Sequence, residues 1–349
     1  MAHDPKTLFK LFLLVLGLLS SVVLLVCFVS GIFYFDSVGI EVSQESHDNA
    51  KENKKVTELI TLMDTVDMWQ APDWSLVEEE PNADEIRYGR ELIANTSEYL
   101  GPNGKVRKIS NGLNCQNCHL QAGTVPLGNN YSAAKSTYPK VRGRSGKSED
   151  IILRINGCFQ RSLNGEVLEN DSKEMKAMVA YMNWLGKDVE TGEKPKGVGL
   201  YEVPLLERAA DPVKGKTIYE NQCVSCHMAD GQGLIKDDGS GYTYPPLWGQ
   251  HSYNQGAGLF RISRFAGYVR ANMPFGATYE KPILTDEEAW DVAAYVNSLD
   301  RPKGNFPNDW PDISKKPMDH PFGPYSDEFS EKQHKFGPFK PILAAYGEL

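Results

Sequence analysis

The sequence predicts a mainly α protein made of two similar domains in tandem, preceded by one N-terminal transmembrane helix. Three observations predict it: an uncharged stretch near the N-terminus, an internal repeat, and a short cysteine motif found once in each copy of the repeat. With 349 residues the chain can build two domains with cores of their own, and 41% hydrophobic and 10% aromatic residues exclude a disordered protein. A net charge of -9 disfavours a nucleic-acid partner, because duplex binding needs a basic face that releases counterions. A local basic site is still compatible with that balance.

The uncharged stretch is residues 11–35, LFLLVLGLLSSVVLLVCFVSGIFYF. At a helical rise of ~1.5 Å per residue it reaches roughly 37 Å, enough to cross a bilayer core of about 30 Å with some tilt. A cleaved signal would have an apolar region of about 7–15 residues ending at a small-residue site, and neither condition holds. Lys6 and Lys10 precede the stretch and acidic residues dominate after it. Residues 1–10 are therefore expected in the cytoplasm and the chain after Asp36 on the outer, periplasmic side. Cys27 reads as a lipid-facing apolar residue rather than a lipidation site. Residues 36–80 read as a polar linker with one short helix at 56–66, VTELITLMDTV, where apolar residues recur at helical spacing.

The repeat begins after Pro81. Each copy has an amphipathic helix, then CxxCH, then a Gly/Pro-rich middle, then a second helix with an aromatic-bearing end. In the first copy, residues 81–190, these are IRYGRELIANT (86–96), Cys115 to His119, and KEMKAMVAYMNWLG (173–186). In the second, residues 191–302, they are DPVKGKTIYENQ (211–222), Cys223 to His227, and TDEEAWDVAAYVNSLDRP (285–302). Thr285 followed by three acids is a strong helix start, since carboxylates favour the positive end of the helix dipole. Residues 186–204 read as a Gly/Lys/Pro linker. The tail, 303–349, reads as an irregular strap over both domains, because Trp310, Phe322, Tyr325, Phe336 and Phe339 would otherwise face water.

CxxCH is the attachment site of c-type haem: two thiols form thioethers to the vinyl groups and the histidine is the proximal iron ligand. The residues at i, i+3 and i+4 share one face of a helical turn, which this chemistry requires. A zinc site made of two CxxC halves would leave the histidine after each pair unexplained. Two covalently bound haem c groups follow, on Cys115, Cys118 and His119 and on Cys223, Cys226 and His227. The fold expected around them is two class I cytochrome c-like domains in tandem.

Each iron then has a sixth position. Met273, in Asn272-Met273-Pro274 just before the last helix of the second copy, stands where class I cytochromes c supply a thioether from a loop stiffened by proline. The first copy has no such loop methionine, and Met175, Met178 and Met182 recur at core spacing on its closing helix. In the corresponding place stands 138–165, YPKVRGRSGKSEDIILRINGCFQRSLNG. Ser148, Glu149 and Asp150 can start a helix there and Asn164-Gly165 can end it. Arg154, Cys158, Arg161 and Ser162 fall on or near one face of that helix, and Gly157 leaves room for close approach of a haem plane. Cys158 reads either as an inert buried thiol or as a thiolate favoured by neighbouring cations. Lys140, Arg142, Arg144, Lys147, Arg154 and Arg161 read either as a solvated face or as a funnel for a small anion.

NCQNCHLQAGTVP, YPKVRGRSG, RINGCFQRSLNG, YPPLWG, NQGAG, NMPFG and DVAAYVNSLDRP occur in this order. In this series the sequence resembles the dihaem thiosulfate dehydrogenases, or tetrathionate synthases, over roughly residues 68–345. The resemblance implies oxidation of two thiosulfate ions to tetrathionate, with Cys158 as the distal thiolate ligand of the first haem. It also implies that Arg142, Arg144, Arg154 and Ser162 line the substrate site. Arg161 is left among three destinations: substrate, a haem propionate, or structure on the side of Glu149. Asn272, where some family members have lysine, implies plain His/Met ligation of the second haem. The expected partners are thiosulfate or tetrathionate, a membrane reached through the N-terminal helix, and a cytochrome c or a membrane-bound oxidase or quinol-linked redox partner. Two other readings use fewer of these residues: a tethered dihaem electron shuttle, which needs no Arg/Cys/Ser element, and a subunit of a multi-protein sulfur-oxidation complex.

Overall fold

The structure, a computed structural model, describes residues 68–348. The predicted membrane span at 11–35, with Cys27, and the short helix at 56–66 lie outside the described residues. Among the described residues no helix is long and apolar enough to cross a membrane. Residues 68–349 form one compact unit.

Six helices of eleven or more residues organise this unit: α1 Ala83–Ala94, α2 Ile151–Arg161, α3 Lys173–Leu185, α4 Pro212–Gln222, α5 Ile262–Asn272 and α6 Asp286–Ser298. Four match the predicted amphipathic segments, and their ends follow local chemistry. Asp211 accepts from the Val213 N–H ahead of a proline in the first turn of α4, and Thr285 and Glu288 form a reciprocal capping box on α6. In each repeat the first and last helices cross at a glycine. A Cβ on Gly89 would lie 1.9 Å from the Ala177 carbonyl oxygen, and one on Gly215 would lie 1.9 Å from that of Asp291. Only glycine permits backbones to approach that closely. Tyr181 and Tyr295, four residues beyond those carbonyls, pack on the same two glycines. The crossings thus match from copy to copy although the sequences around them differ.

Each repeat has its own core. Ile86, Leu92, Phe159, Met175, Met178 and Tyr181 are buried in the first, and Tyr219, Phe265, Trp290, Val292 and Val296 in the second. Met175, Met178 and Met182 pack in the first core, in line with their spacing.

Four segments differ from expectation. Part of the stretch read as linker belongs to the first domain: Trp74–Glu79 is a 3-10 helix with Val77 buried, and Trp74 meets Trp184 edge-on at 5.5 Å. The 186–204 segment is likewise fixed, with Leu200 and Val203 in the second core and the Gly197 carbonyl accepting from the Leu127 N–H at 2.7 Å. The helix α2 begins later than predicted. Ser148–Glu149 is a strand paired antiparallel with Lys140–Val141, and Asp150 caps the helix by accepting from the Leu153 N–H at 2.8 Å. The helix α5 emerged from a region read only as Gly/Pro-rich.

The strap contains short helices at Ile313–Lys315, Glu331–Phe336 and Lys340–Tyr346. Its aromatic residues dock as expected: Phe339 lies 5.5 Å from Trp290 and Phe322 stacks on Phe260.

Candidate active site

Two cavities follow the two CxxCH motifs. The first, of about 430 Å³, is lined by Cys115, Cys118, His119, Cys158 and Ser162 with Met178 and Met182. The second, of about 720 Å³, is lined by Cys223, Cys226, His227 and Met273 with Tyr219, Tyr268 and Leu284. Leu113 and Cys118 line both, so a single wall separates them. None of the four motif cysteines is in a disulfide. The imidazole Nδ1 of His119 lies 2.5 Å from the Asn129 carbonyl oxygen, and that of His227 lies 2.8 Å from the Pro245 carbonyl oxygen. A backbone acceptor on Nδ1 fixes the tautomer that leaves Nε2 free to bind a metal. This donor set, two thiols and one oriented imidazole on the wall of a mainly apolar cavity, fits a covalently attached haem in each domain.

On the wall of the first cavity the helix α2 places Cys158 beside His119. As free thiols, Cys115 is pushed up to about 11 and Cys118 to about 12, mainly by burial. Cys158 behaves differently. Burial pushes it up too, but Arg154, with His119 and Arg144, outweighs burial and brings it down to about 6. Among these three thiols only Cys158 is held as a thiolate near neutral pH.

The cations come from several elements. Lys140 and Arg142 stand on the short hairpin before α2, where Arg142 donates to the Tyr138 hydroxyl at 2.8 Å and lies 3.9 Å from Glu149. Arg154, one turn before Cys158 on α2, lines the cavity, and the thiolate raises its pKa. Arg144 stands behind this wall. Burial, together with Arg161 and Arg154, lowers it to about 10, and its guanidinium lies 6.0 Å from the Trp310 ring. Ser162 lines the cavity at the end of α2. Nothing lies within 4 Å of a Cβ built on Gly157, so no protein neighbour requires that glycine.

Comparison with known proteins gives the same assignment for both halves. Residues 105–190 match the family model "SoxA/TsdA, cytochrome c domain" and residues 212–300 match "Cytochrome c". A thiosulfate dehydrogenase of Psychrobacter arcticus is 39% identical over 242 residues, covering 69% of this chain and 71% of that protein. The chain belongs to the thiosulfate dehydrogenase family. A family member from Stutzerimonas stutzeri is 38% identical over 62% of this chain and 68% of its own, and one from Allochromatium vinosum is 37% identical over 66% and 83%. Among solved structures, the thiosulfate dehydrogenase TsdBA from Marichromatium purpuratum in its "as isolated" form superposes with a TM-score of 0.62 at 32% identity. That match covers 68% of this chain and 50% of the TsdBA chain, so this chain spans half the length of that structure.

Two residues expected at the thiosulfate dehydrogenase site are not on the cavity wall: Arg144, which burial holds behind it, and Arg161. Arg161 does not line the first cavity; its Nη1 and Nη2 donate to the Asp309 carboxylate at 2.8 and 2.9 Å, and its guanidinium lies 3.6 Å from the Phe306 ring centre. None of the three destinations left open for it included the strap. Two cations on the cavity wall were not anticipated: Lys194, from the segment read as a linker, and Arg264, from α5 of the second domain. Neither sits in a motif, and both arrive from elements distant in sequence.

Proposed function

We propose that this chain oxidises two thiosulfate ions to tetrathionate at the first haem site and passes the electrons through the second. The observation that carries this reading is the cavity wall that Cys158, Arg142, Arg154 and Ser162 share with His119. A bound haem supplies one-electron redox capacity, which the protein tunes through its axial donors.

The residues of the chain do the rest. Two dianions repel each other, and Arg142, Arg154 and Lys140 on the wall, with Arg144 behind it, offset that repulsion while holding the sulfur ends together. Ser162 offers a hydroxyl to a sulfonate oxygen. Cys158 and His119 line the first cavity and would hold an iron there as anionic and neutral donors, and Met273 and His227 would do so in the second. A thiolate donor would favour ferric iron and a thioether ferrous, which would set the first site as electron donor and the second as acceptor, with Cys118 and Leu113 lining both cavities. Anchoring by residues 11–35 in a bacterial cytoplasmic membrane, with residues 68–348 in the periplasm and a cytochrome or membrane-bound acceptor as partner, completes the reading.

The test is steady-state thiosulfate oxidation by the full-length holoprotein with an artificial acceptor, wild type against Cys158→Gly. Turnover in the wild type and its loss in the variant are expected. Equal turnover in both, or none in either, would refute the catalytic reading and leave an electron shuttle.

A further inference from the structure

The last turn of α2, the helix that carries Cys158, is held by residues from outside its own domain. The Asn254 N–H donates to the Arg161 carbonyl at 3.0 Å, and Asn254 Nδ2 donates to the Gln160 carbonyl at 2.8 Å and to Asn164 Oδ1 at 2.9 Å. These are the carbonyls a helix end leaves without partners. One residue further, the Arg161 guanidinium is taken by both carboxylate oxygens of Asp309. The two side chains are only 13% and 22% exposed, so water competes weakly for either.

Asp309 lies in a turn, residues 306–310, that grips a second cationic element. The Trp310 N–H donates to the Arg144 carbonyl at 2.6 Å, and the Trp310 ring faces the Arg144 guanidinium. A Cβ on Gly146, in the same loop as Arg144, would come 2.7 Å from Pro311. Trp310 itself has φ +59°, which a bulky residue adopts only when its surroundings impose it. The turn is therefore fixed independently of Arg161, and it spans the two elements that flank Cys158.

We propose that Asp309 is a positioning residue for the first haem site: by holding the forked end of Arg161 it fixes where α2 presents Cys158. The proposal rests on the reading above in taking Cys158 as the distal donor. A planar guanidinium bound at both nitrogens defines direction as well as distance, which one lysine ammonium does not. Asp309 also offsets one of the cations crowded around Arg144. Its two effects on catalysis have opposite signs. Removing a carboxylate near an anion site alone would tighten substrate binding, whereas losing the position of Cys158 lowers the rate at saturation.

The experiment uses full-length holoprotein with Asp309→Asn, which keeps the shape, and Arg161→Lys, which keeps the charge. In both, the resting ferric spectrum of the first haem should change from one distal-ligand signature to a mixture, while the methionine band of the second haem stays as in wild type. The kcat of Asp309→Asn for thiosulfate should fall about tenfold with KM unchanged or lower. Wild-type spectra in both variants would overturn the proposal. So would a spectral change in Asp309→Asn with none in Arg161→Lys, or a lower KM at unchanged kcat, since each makes Asp309 a charge effect only. If Asp309→Asn fails to accumulate, the Arg161→Lys spectrum decides alone. Resting spectra are recorded without thiosulfate, so they decide the positioning role even if thiosulfate proves not to be the donor.

Discussion

Replacing Asp319 with asparagine should destabilise the protein at the helix that leads to Met273. Asp319 is buried in the strap and accepts from Arg261 Nε at 2.7 Å, from the Ser263 N–H at 3.0 Å and from Ser263 Oγ at 2.5 Å. It thereby caps the start of α5 from 56 residues away and neutralises Arg261. An asparagine amide would turn a donor toward either the Ser263 N–H or Arg261. Breaking a buried charge pair from one side costs ~3–5 kcal/mol, and because Arg261 is partly hydrated the lower end, about 3 kcal/mol, is expected here. For a unit of this size that lowers Tm by roughly 6–12 °C. Burial alone would raise the Asp319 carboxyl, but Arg261 and Ser263 outweigh it and hold it below its ordinary 3.8. A carboxyl depressed in the folded state contributes stability above its unfolded pKa and loses it as pH falls through the folded value. Wild type should therefore lose an increment of Tm below about pH 4 that Asp319→Asn has already lost. The assay is thermal unfolding of the holoprotein followed by far-UV circular dichroism from pH 7 to pH 3. A Tm drop below about 2 °C at pH 7, or parallel acid limbs in the two proteins, would refute the reasoning.

Gly215→Ala should cost about 3 kcal/mol in urea unfolding, because its Cβ would meet backbone rather than a movable side chain. Gly258→Ala, where a Cβ meets nothing within 4 Å, should stay within about 1 kcal/mol of wild type. Arg154→Ala should lower kcat/KM for thiosulfate roughly 30- to 100-fold, the equivalent of one charge-assisted contact of about 2–3 kcal/mol, with lysine restoring part of it. Raising ionic strength from about 0.01 to 0.15 M should increase KM for thiosulfate and leave kcat nearly constant, since it screens attraction to the cationic wall.

Features with local causes could be read from the sequence. CxxCH specifies its own chemistry within five residues, and the α4 and α6 termini carry their caps beside them. Cys158 attracted notice because cations flank it at helical spacing. The features that escaped have distant causes. The helix α5 lacks a local side-chain cap and depends on Asp319, so its start gives no signal among its own neighbours. Arg161 finds its partner 148 positions away in a tail without periodicity. Ser148–Glu149 resembles a helix start, but pairing with Lys140–Val141 takes those residues first and leaves the cap to Asp150. The paired crossings at Gly89 and Gly215 were present in the repeat, yet a glycine inside an amphipathic helix reads as a weakness until its partner backbone is known.

The strap also bears on how such a molecule is assembled. Residues 303–348 follow both domains in synthesis order, yet Asp309 secures the end of the Cys158 helix and Asp319 the start of the helix leading to Met273. Both contacts form only after the CxxCH motifs of both domains have been made. The two helices that present the proposed distal donors, Cys158 and Met273, are thus both fastened by the one segment of chain made last, so the strap acts as a common latch on two sites.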